Sequence, residues 1–275
     1  MNSSDFEFVA DLLRKRAGIV LGAEKTYLID SRLAPLARKE GLPSIDDLIQ
    51  VVRGRRDERL ISQVVDVMTT NETFFFRDRT PFAHLRETIF PMLAQARRGS
   101  RIRIWCAGCA SGQEPYSIAM MLDQNPELTG GVPVEIVATD ISERCLERAR
   151  SGVYTQFEIQ RGLPIQMLMR YFTQQDDNWR ISEKLRGAVA FRKHNLLESA
   201  EALGKFDAIF LRNVLIYFDG PTRAATLNRV SDVLHPGGFL LLGASETPVG
   251  STMAFEPAGD RRALYRLAQR ATQAA

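Results

Sequence analysis

From Ser100 onward the chain alternates short apolar runs with helical stretches, and this alternation limits the fold more than any other feature. Arg101–Cys106, Val134–Thr139, Phe206–Leu211 and Phe239–Gly243 read as strands. Glu114–Leu122, Ser142–Ser151 and Pro221–Leu234 read as the helices between them. Strands that take turns with helices predict an α/β domain with a mostly parallel, doubly wound sheet. Residues 152–193 break the rhythm. Pro164–Phe172 reads as helical, while Trp179–Ser182 and Ala188–Lys193 read as short antiparallel strands, so a small antiparallel β insertion is expected there.

Before Ser100 the periods are helical. Phe6, Val9, Leu12 and Leu13 recur at helix spacing, as do Leu28, Leu33 and Leu36. Residues 1–85 are expected to form an all-helical N-terminal domain, joined by a linker at about 70–95 to a second domain at 95–275. A helix is predicted over Pro81–Ala96, with Pro81 suited to its first turn.

The net charge is +3, too small to imply a polyanion partner, so no nucleic acid is expected. There are three cysteines, Cys106, Cys109 and Cys145, which do not form a disulfide framework. The N-terminus has no secretory pattern and no apolar run reaches membrane length. A cytoplasmic chain without membrane insertion is the expectation. Cys106-x-x-Cys109 has no second Cys/His pair beside it, so no metal site is expected. His84, His194 and His235 are scattered.

Three features carry chemistry. The loop Ala107-Gly108-Cys109-Ala110-Ser111-Gly112 joins a strand to a helix; its small residues suit either a cofactor's approach to the backbone or close packing. Asp140 ends the second strand, where an acid accepts ribose hydroxyls or caps the next helix. Glu114 lies in the first helical turn, favourable to the helix dipole or to a bound cation. S-adenosylmethionine carries an ammonium and a sulfonium and no phosphate, so acids at the mouth favour it over a dinucleotide.

The strings Asn71-Glu72-Thr73-x-Phe75-Phe76-Arg77, Trp105 to Ser117 and Arg212-Asn213-Val214-Leu215-Ile216-Tyr217-Phe218 together resemble the CheR family of chemotaxis receptor methyltransferases. That family converts glutamates on receptor signalling helices to γ-methyl esters. The resemblance implies an S-adenosylmethionine-dependent enzyme acting on methyl-accepting chemoreceptors. It implies cofactor contacts at Asn71, Thr73, Arg77, Ala107, Gly108, Glu114, Asp140, Asn195, Leu196, Arg212 and Asn213, with Arg77 and Tyr217 beside the transferred methyl. By residue type alone, a strand-end aromatic with a wet tip is the lesser alternative for Tyr217, and Phe74–Phe76 read equally as core or cofactor wall.

The basic cluster Arg53, Arg55, Arg56 and Arg59 is either part of a receptor-docking surface or a solvated face. Family members that bind the receptor's C-terminal pentapeptide on the β insertion carry a longer, glycine-rich loop than Thr173–Arg180. No tight pentapeptide binding is expected here. A nucleic-acid base methyltransferase and a non-catalytic receptor-binding module are the rival readings. The first calls for an Asn/Asp-Pro-Pro-Tyr string where Asn213-Val214-Leu215-Ile216-Tyr217 stands, and the second is disfavoured by Glu114 and Asp140.

Overall fold

The computed structural model describes residues 3–55 and 57–268. Four helices come first: α1 Ser3–Ala17, α2 Thr26–Lys39, α3 Ile45–Arg55 and α4 Glu58–Met68. Leu60, Ile61, Val64, Val65 and Met68 form a stripe at helical spacing on α4 that is buried in the core of this bundle. Val9 and Leu13 of α1, Ile29, Leu33 and Leu36 of α2, and Leu48, Ile49 and Val52 of α3 pack into the same core. Asp57 caps α4 by accepting the backbone N–H groups of Arg59 and Leu60.

The predicted helix over 81–96 is present with a π-helical turn in its middle. α5 spans Arg79–His84, the π turn Leu85–Ile89, and α6 Phe90–Ala96. Pro91 supplies the reason. It has no N–H, and its ring would collide with the carbonyl of residue 87 in a regular helix. The wider turn, in which the Phe90 N–H reaches the Leu85 carbonyl, relieves both problems.

The second domain follows as β1 Ile102–Ala107, α7 Gln113–Gln124, β2 Val134–Asp140 and α8 Glu143–Ser151. Then come β3 Val153–Thr155, α9 Gln156–Gln160, α10 Ile165–Tyr171, β4 Phe172–Gln175, β5 Asn178–Ile181 and α11 Glu183–Gly187. The chain closes through β6 Val189–Lys193, β7 Phe206–Leu211, α12 Gly220–Val233, β8 Leu234–Leu242, β9 Phe255–Pro257 and β10 Leu264–Leu267.

Seven strands form the main sheet in the order β6-β2-β1-β7-β8-β10-β9. The pairs from β6 to β8 are parallel, and β10 runs antiparallel between β8 and β9. Alternate residues of β1 serve opposite faces, as the two-residue strand period requires: Ile102, Ile104 and Cys106 join one core, Trp105 and Ala107 the other. β3, β5 and β4 make a separate antiparallel sheet, with Asp176-Asp177 as a two-residue turn between β4 and β5.

Two expectations need correction. Residues 188–193 were expected to pair antiparallel within the insertion, yet β6 pairs parallel with β2 and forms the edge of the main sheet. Side-chain alternation has the same period in both ladders, so the sequence does not distinguish them. β8 also starts at Leu234 rather than Phe239, pairing with Phe206 before an irregularity and resuming at Phe239 with Ala208.

The helical domain rests on the carboxyl ends of the parallel strands. Val20 N–H donates to the Tyr217 carbonyl at 2.9 Å, and Asn195 Nδ2 donates to the Arg16 carbonyl at 2.8 Å. Ser142, which caps α8, donates its hydroxyl to Asp66 on α4. Arg32 of α2 donates to the carbonyls of Met68 and Thr69, fixing the segment that leads out of the bundle.

Candidate active site

A cleft of about 920 Å³, counting its open mouth, lies where the two domains meet. Its floor is the point at which the strand order reverses: β1 pairs with β2 on one side and β7 on the other. Loops after such strands diverge and leave a crevice.

The loop after β1 shapes one wall. Gly108 and Cys109 donate their N–H groups to the Thr139 carbonyl at 2.8 and 2.9 Å. Gly108 (φ +78°), Ala110 (φ +48°) and Gly112 (φ +92°) turn the chain into α7. A Cβ on Gly108 would stand 2.6 Å from Val214 Cγ2, so the two loops pack too closely for any side chain. Gly108→Ala is therefore expected to cost about 2 kcal/mol from the left-handed backbone and the collision, read as a lower urea midpoint.

Asp140 is buried at the end of β2. Its carboxylate accepts the Ala110 N–H at 2.8 Å and the Ser142 N–H at 2.9 Å. Burial pushes its pKa up and these N–H groups oppose the rise. The helix cap itself is Ser142, so Asp140 is not the cap of α8.

Glu114, second residue of α7, is largely but not fully buried, and desolvation holds its carboxyl above the ordinary range against the pull of Arg212. Arg212, whose side chain is 2% exposed, donates to Glu114 at 2.6 Å, to Asp78 at 2.8 Å and to the Arg77 carbonyl at 2.9 Å. Its Nε is buried without a partner among the described residues.

Of the sequence-predicted residues, Asn71, Thr73, Arg77, Gly108, Glu114 and Asp140 line the cleft. Asn195, Leu196, Arg212, Asn213 and Tyr217 line it as well. Ala107 does not; it is buried in the core at the end of β1. Asn195 is also occupied structurally, since its Oδ1 accepts the Leu197 N–H while Nδ2 reaches Arg16. Arg77 Nη1 donates to the Glu72 carbonyl at 2.8 Å, and its guanidinium lies over the Phe74 ring. Burial raises the Tyr217 phenol, with Arg77 as the main opposing charge. Phe75 is wholly buried core, and Phe74 serves as a platform for Arg77 and Arg161.

Sequence reasoning missed Glu246 and Asp78. Glu246 is buried and accepts three N–H groups, from Gly243 at 2.7 Å, Asn213 at 2.7 Å and Val214 at 2.9 Å. It ties the loop after β8 to the loop after β7, where Asn213 adopts φ +58°. Ala17 and Ile19 of the helical domain also line the cleft. They are far from the other lining residues in sequence and carry no chemical signal.

The donor set fits S-adenosylmethionine. The buried Asp140 and the largely buried Glu114 face the cleft, and of the two arginines that line it Arg212 is already paired with Glu114 and Asp78, an arrangement that suits an ammonium and ribose hydroxyls. The unpartnered Arg212 Nε is placed to take the carboxylate of an amino-acid group.

Comparison with known proteins agrees. Residues 71–264 match the family model described as CheR methyltransferase, SAM binding domain. Residues 4–69 match the CheR methyltransferase all-alpha domain. The chain is 44% identical to chemotaxis protein methyltransferase 1 of Pseudomonas aeruginosa over 248 residues, 89% of this chain and 90% of that one. It is 43% identical to chemotaxis protein methyltransferase Cher2 of Pseudomonas putida over 246 residues, 88% and 90% of the two chains. A third relative, the chemotaxis protein methyltransferase of Vibrio parahaemolyticus, is 42% identical over 259 residues, 93% and 94% of the two chains. With both domains matched in order over nearly the whole length, and a cleft between them suited to S-adenosylmethionine, the chain belongs to the CheR methyltransferase family.

Proposed function

We propose that this chain methylates glutamate side chains on the signalling helices of chemoreceptors, in the cytoplasm, giving γ-methyl esters. The observation that carries the reading is the junction of the acid-lined cleft with Arg77 and Tyr217. S-adenosylmethionine, when bound, supplies a methyl group made electrophilic by its sulfonium. Glu114 would hold its ammonium, Asp140 its ribose, and Asn195-Leu196 would border its adenine.

The acceptor needs no general base, because a glutamate is already ionised at neutral pH. The residues near the mouth agree with that. Glu72 is ion-paired with Arg161, which holds its carboxyl below the usual range and makes it a poor base. The Tyr217 phenol, raised by burial, keeps its proton and serves as a donor. What remains is alignment. Holding carboxylate oxygen and methyl carbon in line supplies roughly 7–11 kcal/mol of the barrier. Arg77 orients the carboxylate, and Tyr217 fixes the second oxygen or the methyl.

Labelled methyl transfer from S-adenosylmethionine to receptor fragments, followed by base-labile release of labelled methanol, tests this. Only a carboxyl ester releases methanol; label that resists base, or that enters nucleic acid, would overturn the reading.

Arg53 and Arg59 are proposed as part of the docking surface. Both are already ion-paired, Arg53 with Asp5 at 3.0 Å and Arg59 with Glu40 at 2.8 Å. Their pull on a partner is therefore modest, and Arg59→Ala is expected to raise the Michaelis constant for receptor about two- to fivefold, on the scale of a surface ion pair. Arg55 ends α3, and Arg56 lies outside the described residues. On the small sheet, the Asp176-Asp177 turn places two acids at the tip of the β4–β5 hairpin. Calorimetry with the receptor's C-terminal pentapeptide is expected to show no micromolar binding.

A further inference from the structure

The segment that carries Arg77 is strained. Phe76 has φ +52° and Asp78 φ +55°, so two non-glycine residues with left-handed φ flank it. Such conformations persist only where surrounding contacts enforce them. On the upstream side the contacts belong to the core. Phe75 is fully buried, the Phe76 N–H donates to Ser117 Oγ at 3.0 Å, and the Phe76 ring meets Phe82.

On the downstream side the contact is one buried guanidinium. Arg212 Nη2 donates to both the Arg77 carbonyl and Asp78 Oδ2, while its Nη1 donates to Glu114 Oε2. Asp78 occupies the N-cap position of α5, where an aspartate ordinarily accepts helix N–H groups. Here its side chain makes no capping bond. The residue gives up a cap and adopts an unfavourable backbone in order to reach Arg212.

Charge completes the case. Glu114 and Asp78 share the one guanidinium of Arg212, and an ammonium bound at Glu114 brings a second cation to that cluster. That cation competes with Arg212 for Glu114, and the guanidinium then leans more heavily on its other carboxylate.

We propose that Asp78 is a positioning residue for methyl transfer: through Arg212 it couples occupancy at Glu114 to the placement of Arg77. The inference rests on the reading of Arg77 as the residue beside the reacting carboxylate. It adds that the cofactor, by filling its own subsite, sets that residue.

The test uses the full chain and two readouts. Calorimetry is expected to show that Asp78→Asn binds S-adenosylhomocysteine within about threefold of wild type, since Glu114 and Asp140 are intact. Hydrogen exchange in the peptide spanning residues 74–80 is expected to slow when wild type binds S-adenosylhomocysteine and to stay fast in saturated Asp78→Asn. With receptor fragments, kcat of Asp78→Asn is expected to fall roughly 100-fold, the scale of a misplaced catalytic group, with the Michaelis constant for S-adenosylmethionine unchanged. Asp78→Glu is expected to recover part of both. Equal slowing of exchange in wild type and Asp78→Asn, or a loss of cofactor affinity as large as the loss of kcat, would overturn the proposal. If wild type itself methylates no receptor fragment, the receptor reading fails, and hydrogen exchange still decides the coupling.

Discussion

Glu114→Gln is expected to bind S-adenosylhomocysteine at least about 100-fold more weakly than the unaltered chain, because the ligand's ammonium loses a charged, desolvated partner and such losses run to roughly 2–5 kcal/mol. The glutamine keeps the shape and an acceptor for Arg212, so the chain still folds, at a stability cost of about 1–3 kcal/mol. Calorimetry gives the first figure and urea unfolding the second. A pH series supplies a separate check. Burial raises the Glu114 carboxyl above its ordinary range, with Arg212 opposing. In the proposed site the ionised form would take the cofactor's ammonium, so affinity is expected to fall on acidification, starting above the normal glutamate range, and this part of the profile is expected to vanish in Glu114→Gln. The sign for folding is opposite. A raised carboxyl contributes stability below its unfolded pKa and loses it as pH rises through the folded one. Unchanged affinity in Glu114→Gln would remove the acid from the cofactor site.

Glu246→Ala has the largest expected effect on stability. It strands the N–H groups of Gly243, Asn213 and Val214, all held by one buried carboxylate. Hydrogen bonds to a charged group contribute about 1.5–3 kcal/mol each; they share one acceptor here and do not add fully, so a total loss of about 3–5 kcal/mol is expected. The loss appears in urea or thermal unfolding. Affinity for S-adenosylhomocysteine falls with it, because Asn213 keeps its left-handed backbone through this bond and Val214 packs on Gly108. Normal unfolding would show that the loops after β7 and β8 hold themselves.

Glu246 also shows where the sequence stops being readable. Its neighbours Ser245 and Thr247 give no periodicity and no motif with a chemical meaning of its own. Only the approach of two loops 33 residues apart gives the carboxylate its task. Asp78 is similar. It stands at the N-cap position of α5 without making a capping bond, and it serves a guanidinium 134 residues away instead. The strand at 189–193 failed for a different reason, since parallel and antiparallel ladders share one side-chain period.

The sequence by itself determined the two-domain plan, the alternation of strand and helix along the parallel part of the sheet, and the acids that line the cleft. These are local properties: apolar spacing, small residues at a turn, a carboxylate at a strand end or a helix start. Only the tertiary structure decided which partners those groups meet. It joined Glu114 to Asp78 through Arg212, brought Ala17 and Ile19 across from the helical domain, and made β6 an edge of the main sheet. Pairings between distant residues depend on how whole elements pack, and a linear pattern of residue types does not encode them one at a time.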